Sequence, residues 1–115
     1  MDKEVKNLLQ NSLFDLVSLE VTLFMHAHPD WAADLSDLCR RLGSQPEKVA
    51  GALGHLIDSG LVERVDLGGG RYSVYSYTRD ANLRALVERL HNYYHEDPES
   101  RAEIIRHIIS TSVHP

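Results

Sequence analysis

Apolar residues recur every three or four positions through most of this chain, and every second position in one short stretch. Val5, Leu8, Leu9, Leu13, Leu16 and Val17 share one helical face, with Asp2 placed to cap its start. Ser18 is the expected cap of a following helix through Leu19, Val21, Leu23, Phe24 and Met25, which His28-Pro29-Asp30 ends. The pattern fits two helices here or one bent helix. Asp34 then starts a short helix with a stripe of Leu35, Leu38, Cys39 and Leu42, and Gly43 suits its left-handed end. Ser44-Gln45-Pro46-Glu47 has the form of a capping box, and Val49, Leu53, Leu56 and Ile57 face inward from the helix it opens. After Ser59-Gly60 the period changes to two. Val62, Arg64 and Asp66 run toward Gly68-Gly69-Gly70, and Tyr72 to Tyr77 return, as in a β-hairpin. Asp80 caps a long helix carrying Leu83, Leu86, Val87, Leu90 and Tyr94. Asp97-Pro98 breaks it and starts a last helix with Ile104, Ile105, Ile108 and Ile109.

The predicted order is α-α-α-α-β-β-α-α, a mostly helical chain with one small β-hairpin. At 115 residues it is expected to be one domain. It divides into an N-terminal helix (1–17), a central module (18–79) and C-terminal helices (80–115). No apolar run approaches the roughly 18 residues of a membrane span. The charged N-terminus lacks a signal peptide's apolar stretch. The single cysteine, Cys39, allows no intrachain disulfide, so a cytoplasmic location and no membrane partner are expected. The net charge of −5 is the wrong sign for indiscriminate nucleic-acid binding. From residue 34 to residue 79, however, basic and acidic side chains balance, and the flanks carry the whole excess.

The helix, glycine turn, second helix and glycine-tipped hairpin between Asp34 and Thr78 have a recognisable skeleton. Leu38, Leu42-Gly43, Val49, Leu53, Leu56 and Gly60-Leu61-Val62 match L-x-x-x-L-G, V-x-x-x-L-x-x-L and G-L-V before a hairpin. In this the chain resembles the winged helix-turn-helix superfamily, particularly MarR-type and ArsR-type bacterial regulators. The resemblance implies a winged fold and a dimeric DNA-binding regulator whose second helix enters the major groove of double-stranded DNA.

The outward face of that second helix is expected to hold Gln45, Lys48, Gly51, Ala52 and His55. Arg64 and Arg71 flank the hairpin tip, where they can touch phosphate or the minor groove. DNA-binding relatives commonly place Ser or Thr, then Arg and His, where this chain has Ala50-Gly51-Ala52. Small residues cannot make bidentate contacts to bases. Two readings stay open. The face approaches DNA closely, with Gln45, Lys48, Gly51, His55, Arg64 and Arg71 as the contact set, or it packs against a protein partner as an adaptor. Gly51 and Gly54 also fit close packing against the preceding helix.

Other chemistry has less behind it. His91 and His95 stand one helical turn apart, and His26, His28 and Asp30 form a second loose group, while His107 and His114 lie near the C-terminus. The Asp-x-His start of an ArsR-type metal site is missing at Arg89, so no metal or other cofactor is expected. There is no nucleophile elbow, and the three glycines lack the Lys-Ser/Thr of a phosphate loop, so an enzyme is not expected. Leu83, Leu86, Leu90 and the four isoleucines supply more apolar surface than a small wing module needs, which favours a homodimer.

Overall fold

The computed structural model describes residues 1–13 and 15–113, with side chains through Thr111. His114 lies outside the described residues. The helices are α1 (Lys3–Ser12), α2 (Leu16–Ala27), α3 (Leu35–Leu42), α4 (Pro46–Asp58), α5 (Ala81–Glu96) and α6 (Pro98–Val113). The strands are β1 (Ala32–Ala33), β2 (Val62–Leu67) and β3 (Tyr72–Tyr77), in the antiparallel order β1-β3-β2. Strand β1 was not expected. Two alanines carry no period of their own, and the free edge of β3 recruits them by pairing Ala32 with Ser76 and Ala33 with Tyr75.

Most boundaries follow local chemistry. The Asp2 carboxylate accepts from the Val5 N–H at 3.0 Å, and that of Asp34 accepts from the Asp37 N–H at 2.8 Å. Gly43 closes α3 at φ 65°, in the left-handed region. The Asp80 carboxylate accepts from both Asn82 and Leu83 N–H groups. Between α1 and α2 the chain makes two separate helices.

Two caps differ from expectation. Asp15, not Ser18, caps α2: its carboxylate accepts from the Ser18 N–H at 2.8 Å, while the Ser18 hydroxyl accepts from the Asp15 N–H at 3.2 Å. Ser18 is therefore the reciprocal partner three residues in. The Ser44–Glu47 box does not form, and Gln45 is the N-cap of α4 without a side-chain bond. The Ser44 N–H donates instead to the Cys39 carbonyl at 3.2 Å, so Ser44 belongs to the closing turn of α3.

One continuous core joins both ends of the chain to the central module. It includes Val5 and Leu9 of α1, Leu19 and Met25 of α2, Leu38 of α3, Leu53 and Leu56 of α4, Tyr77 of β3, Leu90 of α5 and Ile104 of α6. Polar contacts hold α1 on α5 and α6. The Tyr93 hydroxyl donates to the Asp2 carboxylate at 3.1 Å, and His107 Nε2 lies 3.0 Å from the Leu9 carbonyl oxygen. The Val5 N–H, followed by the Tyr93 hydroxyl and Arg89, holds the Asp2 carboxyl below its ordinary range. The turn from α5 to α6 is fastened by Arg101, which donates to the Tyr94 and His95 carbonyls that end α5.

Candidate nucleic-acid interface

Helix α4 packs Val49, Ala52, Leu53 and Leu56 into the core and leaves Gln45, Glu47, Lys48, Ala50, Gly51, Gly54, His55 and Asp58 exposed. Ala52 therefore departs from the expected outward face. It stands three residues after Val49 and four before Leu56, on the same side of the helix, and is 3% exposed. The small-residue face is Ala50, Gly51 and Gly54. Packing of these glycines against the preceding helix is also absent, because a Cβ built on Gly51 or Gly54 meets nothing within 4 Å. Both glycines look into open space.

Lys48 and Gln45 edge a groove of about 600 Å³ between the start of α2 and the α3–α4 turn, which Asp15 and Glu20 also line. The wing adds the rest of the expected set. Gly68, Gly69 and Gly70 have φ of 61°, 70° and 88°, which let β2 turn back as β3. Arg71 sits exposed just past that turn. The register places Arg64 opposite Tyr75 and Asp66 opposite Ser73.

Arg64 is not a free cation. Its Nε donates to Asp66 Oδ1 at 2.9 Å, and the Ser73 hydroxyl donates to the same oxygen at 2.6 Å. The bond that Arg64 donates to Asp66 raises the Arg64 pKa, and Arg64, followed by Ser73, lowers that of Asp66. Other basic residues of the module are similarly occupied. Arg40 pairs with Asp37, Arg79 pairs with Glu63 at 3.3 Å, and Arg41 lies 4.5 Å over the Trp31 ring. Lys48, Arg71 and Arg41, the last stacked on Trp31, are the module's Lys and Arg side chains without an ion pair among the described residues. The expected set thus divides: Gln45, Lys48, Gly51 and His55 share the open face of α4, Arg71 stands at the wing tip, and Arg64 is neutralised on the wing.

The hairpin tyrosines do not share one surface. Tyr72 is 57% exposed, whereas Tyr77 is buried, with its hydroxyl 3.3 Å from His26 Nδ1. Burial pushes the Tyr77 phenol up to about 12. Val65, Leu67 and Tyr72 instead make an exposed apolar wing face, through the pairs Val65–Val74 and Leu67–Tyr72. A second feature unanticipated from sequence is the Trp31 stack, in which the His28 ring lies 4.1 Å from Trp31 on a shared aromatic surface with Phe24. His28 and Trp31 are three residues apart across the helix end, and Pro29-Asp30 between them was the available signal.

No family model matches the chain, and no curated protein matches it by sequence. Solved structures do. MarR from E. coli in its apo form superposes with a TM-score of 0.62 at 17% identity, over 91% of this chain and 74% of that one. A MarR mutant complexed with operator DNA gives 0.60 at 17% identity, over 90% and 70%. Reduced HlyU from Vibrio cholerae gives 0.59 at 18% identity, over 80% and 90%. These are winged-helix regulators, and the likeness establishes the winged helix-turn-helix fold for this chain.

Proposed function

We propose that the protein is a DNA-binding transcriptional regulator that occupies a promoter as a homodimer and changes polymerase access sterically. The observation that carries this reading is the open, Cβ-free strip of Gly51 and Gly54 on α4, beside Lys48 and in one module with Arg71. Such a strip lets a helix backbone come close to a groove, while two cations meet phosphate. A MarR mutant of similar fold, complexed with operator DNA, supports duplex DNA as the partner. Gln45 and His55 are the exposed polar side chains that this reading turns toward base edges. The reading assigns no catalytic step and no cofactor, and it places the protein in the cytoplasm.

Recognition of this kind has a weak electrostatic component. Phosphate contacts by Lys48 and Arg71, doubled in a dimer, give a slope of log K against log salt of about −4. Fluorescence anisotropy with a mixed-sequence duplex measures it. The double substitution Lys48→Ala, Arg71→Ala is expected to lower affinity about a hundredfold and to flatten the slope. Absence of duplex binding by the unaltered protein at low salt would sink the reading. The adaptor alternative would then stand on the exposed Val65, Leu67 and Tyr72 face of the wing.

The proposed dimer contact runs through α6. Ile104 and Ile108 turn into the core, while Ile105 and Ile109 are 38% and 57% exposed. Ile109→Asp is expected to convert a sedimenting dimer to a monomer while leaving the thermal transition near its original temperature. A protein that already sediments as a monomer at tens of micromolar would remove α6 from that role.

A further inference from the structure

The two faces of the hairpin carry different chemistry. Side chains alternate along β2, so Arg64 and Asp66 share the face that buries Val62 and Tyr77 at its base, while Val65, Leu67 and Tyr72 take the opposite one. On the first face Arg64 Nε donates to Asp66 Oδ1 at 2.9 Å, and Arg64 Nη2 lies 3.5 Å from Oδ2. The guanidinium fork therefore meets both carboxylate oxygens. The Ser73 hydroxyl, from the facing strand, donates to Oδ1 at 2.6 Å. Both charged side chains stay about half exposed, within reach of a ligand from solvent.

We propose that Asp66 is an internal stand-in for a DNA phosphate, which masks Arg64 in the free protein and sets how tightly the wing holds a duplex. The inference rests on the DNA-binding reading and adds a regulatory residue to it. A carboxylate offers a guanidinium the same pair of acceptor oxygens as a phosphate, so the two anions compete for one fork. Between residues 62 and 77 two basic and two acidic side chains balance, and Arg64 is the wing's only cation besides Arg71. A duplex phosphate at Arg64 must displace an anion already there, which subtracts from affinity for every sequence alike.

Arg40 and Arg79 have carboxylate partners too. Asp66 differs because Ser73 holds it across the hairpin, so its carboxylate is positioned by the strand register as well as by the arginine. Arg64, followed by Ser73, keeps the Asp66 carboxyl below its ordinary range, and the mask stays ionised well below neutral pH.

Asp66→Asn in the full chain tests the mask, by anisotropy with the mixed-sequence duplex. The carboxamide keeps the shape and an acceptor for Ser73 but leaves Arg64 its net positive charge. With Lys48 and Arg71 together contributing about a hundredfold, two unmasked arginines in the dimer should add about tenfold and steepen the salt slope from about −4 to about −6. In an Arg64→Ala background the same substitution should change affinity by less than about threefold and leave the slope in place. Equal gains in the two backgrounds would mean that Asp66 acts only by repelling phosphate, and would overturn the mask. Unchanged affinity and slope in Asp66→Asn, with the unaltered chain binding the duplex, would also overturn it while leaving the DNA-binding reading intact. Failure of both chains to bind at low salt overturns the two together. Should Asp66→Asn disturb the fold, Ser73→Ala loosens the carboxylate without altering either charge. That variant should gain about twofold to threefold, and no gain from it overturns the mask.

Discussion

Leu53→Ala is expected to lower the unfolding free energy by about 3–4 kcal/mol, the largest stability loss of any single substitution considered. Leu53 is 1% exposed and lies at the centre of the buried side of α4, next to Leu56 at 0% and Val49 at 0%. Truncation removes three methyl or methine carbons from water-excluded packing and leaves a cavity that helices on several sides cannot close. A chain of this length has a total stability of about 6–17 kcal/mol at the usual 0.05–0.15 kcal/mol per residue. The variant should therefore still fold but melt well below the parent. Urea denaturation with an unchanged m-value checks it. A loss under about 1 kcal/mol would mean that α4 is not anchored through this side chain, and the placement of its open face would fall with it.

The anchoring of α4 was readable in advance because its large apolar residues repeat at helical intervals. The same logic failed at Ala52. Alanine is too small to mark a face by itself, so its inward direction follows only from the positions of Val49 and Leu56. Gly43 and the wing glycines were legible because a positive φ leaves few alternatives to glycine. Ser44 was misread because one serine can serve the end of α3 or the start of α4, and local sequence does not decide between them. Strand β1 depends wholly on its partner β3, which lies more than forty residues away.

The site was legible to a similar degree. The open residues of α4 follow from periodicity. The neutralisation of Arg64 was in principle visible too, since residues 64 and 66 point to one side of a strand, but the Ser73 contact needed the hairpin register. The meeting of His26 with His91 had no sequence signal. Sixty-odd intervening residues give no spacing rule, and only the packing of α2 on α5 brings the two rings together.

Gly51→Ala with Gly54→Ala should raise stability by about 1–2 kcal/mol and at the same time weaken duplex binding at least tenfold. The first effect follows from helix propensity, since each glycine costs about 0.8–1.0 kcal/mol relative to alanine in a helix interior. Both positions have ordinary helical φ and room for a Cβ, so the substitutions introduce no strain to offset that gain. The folded chain alone gives no reason for glycine at either position, because nothing in it packs against them. On the proposed reading, the strip faces a surface that comes closer to the helix backbone than a methyl group permits. Two methyl groups on that strip would hold such a surface away and lengthen the contacts of Lys48 and Gln45 together. Thermal melts and anisotropy on the same samples separate the two effects. A more stable variant with unchanged duplex affinity would show that DNA does not meet this face. If it also lost binding to a co-purifying protein, the glycines would belong to an adaptor surface.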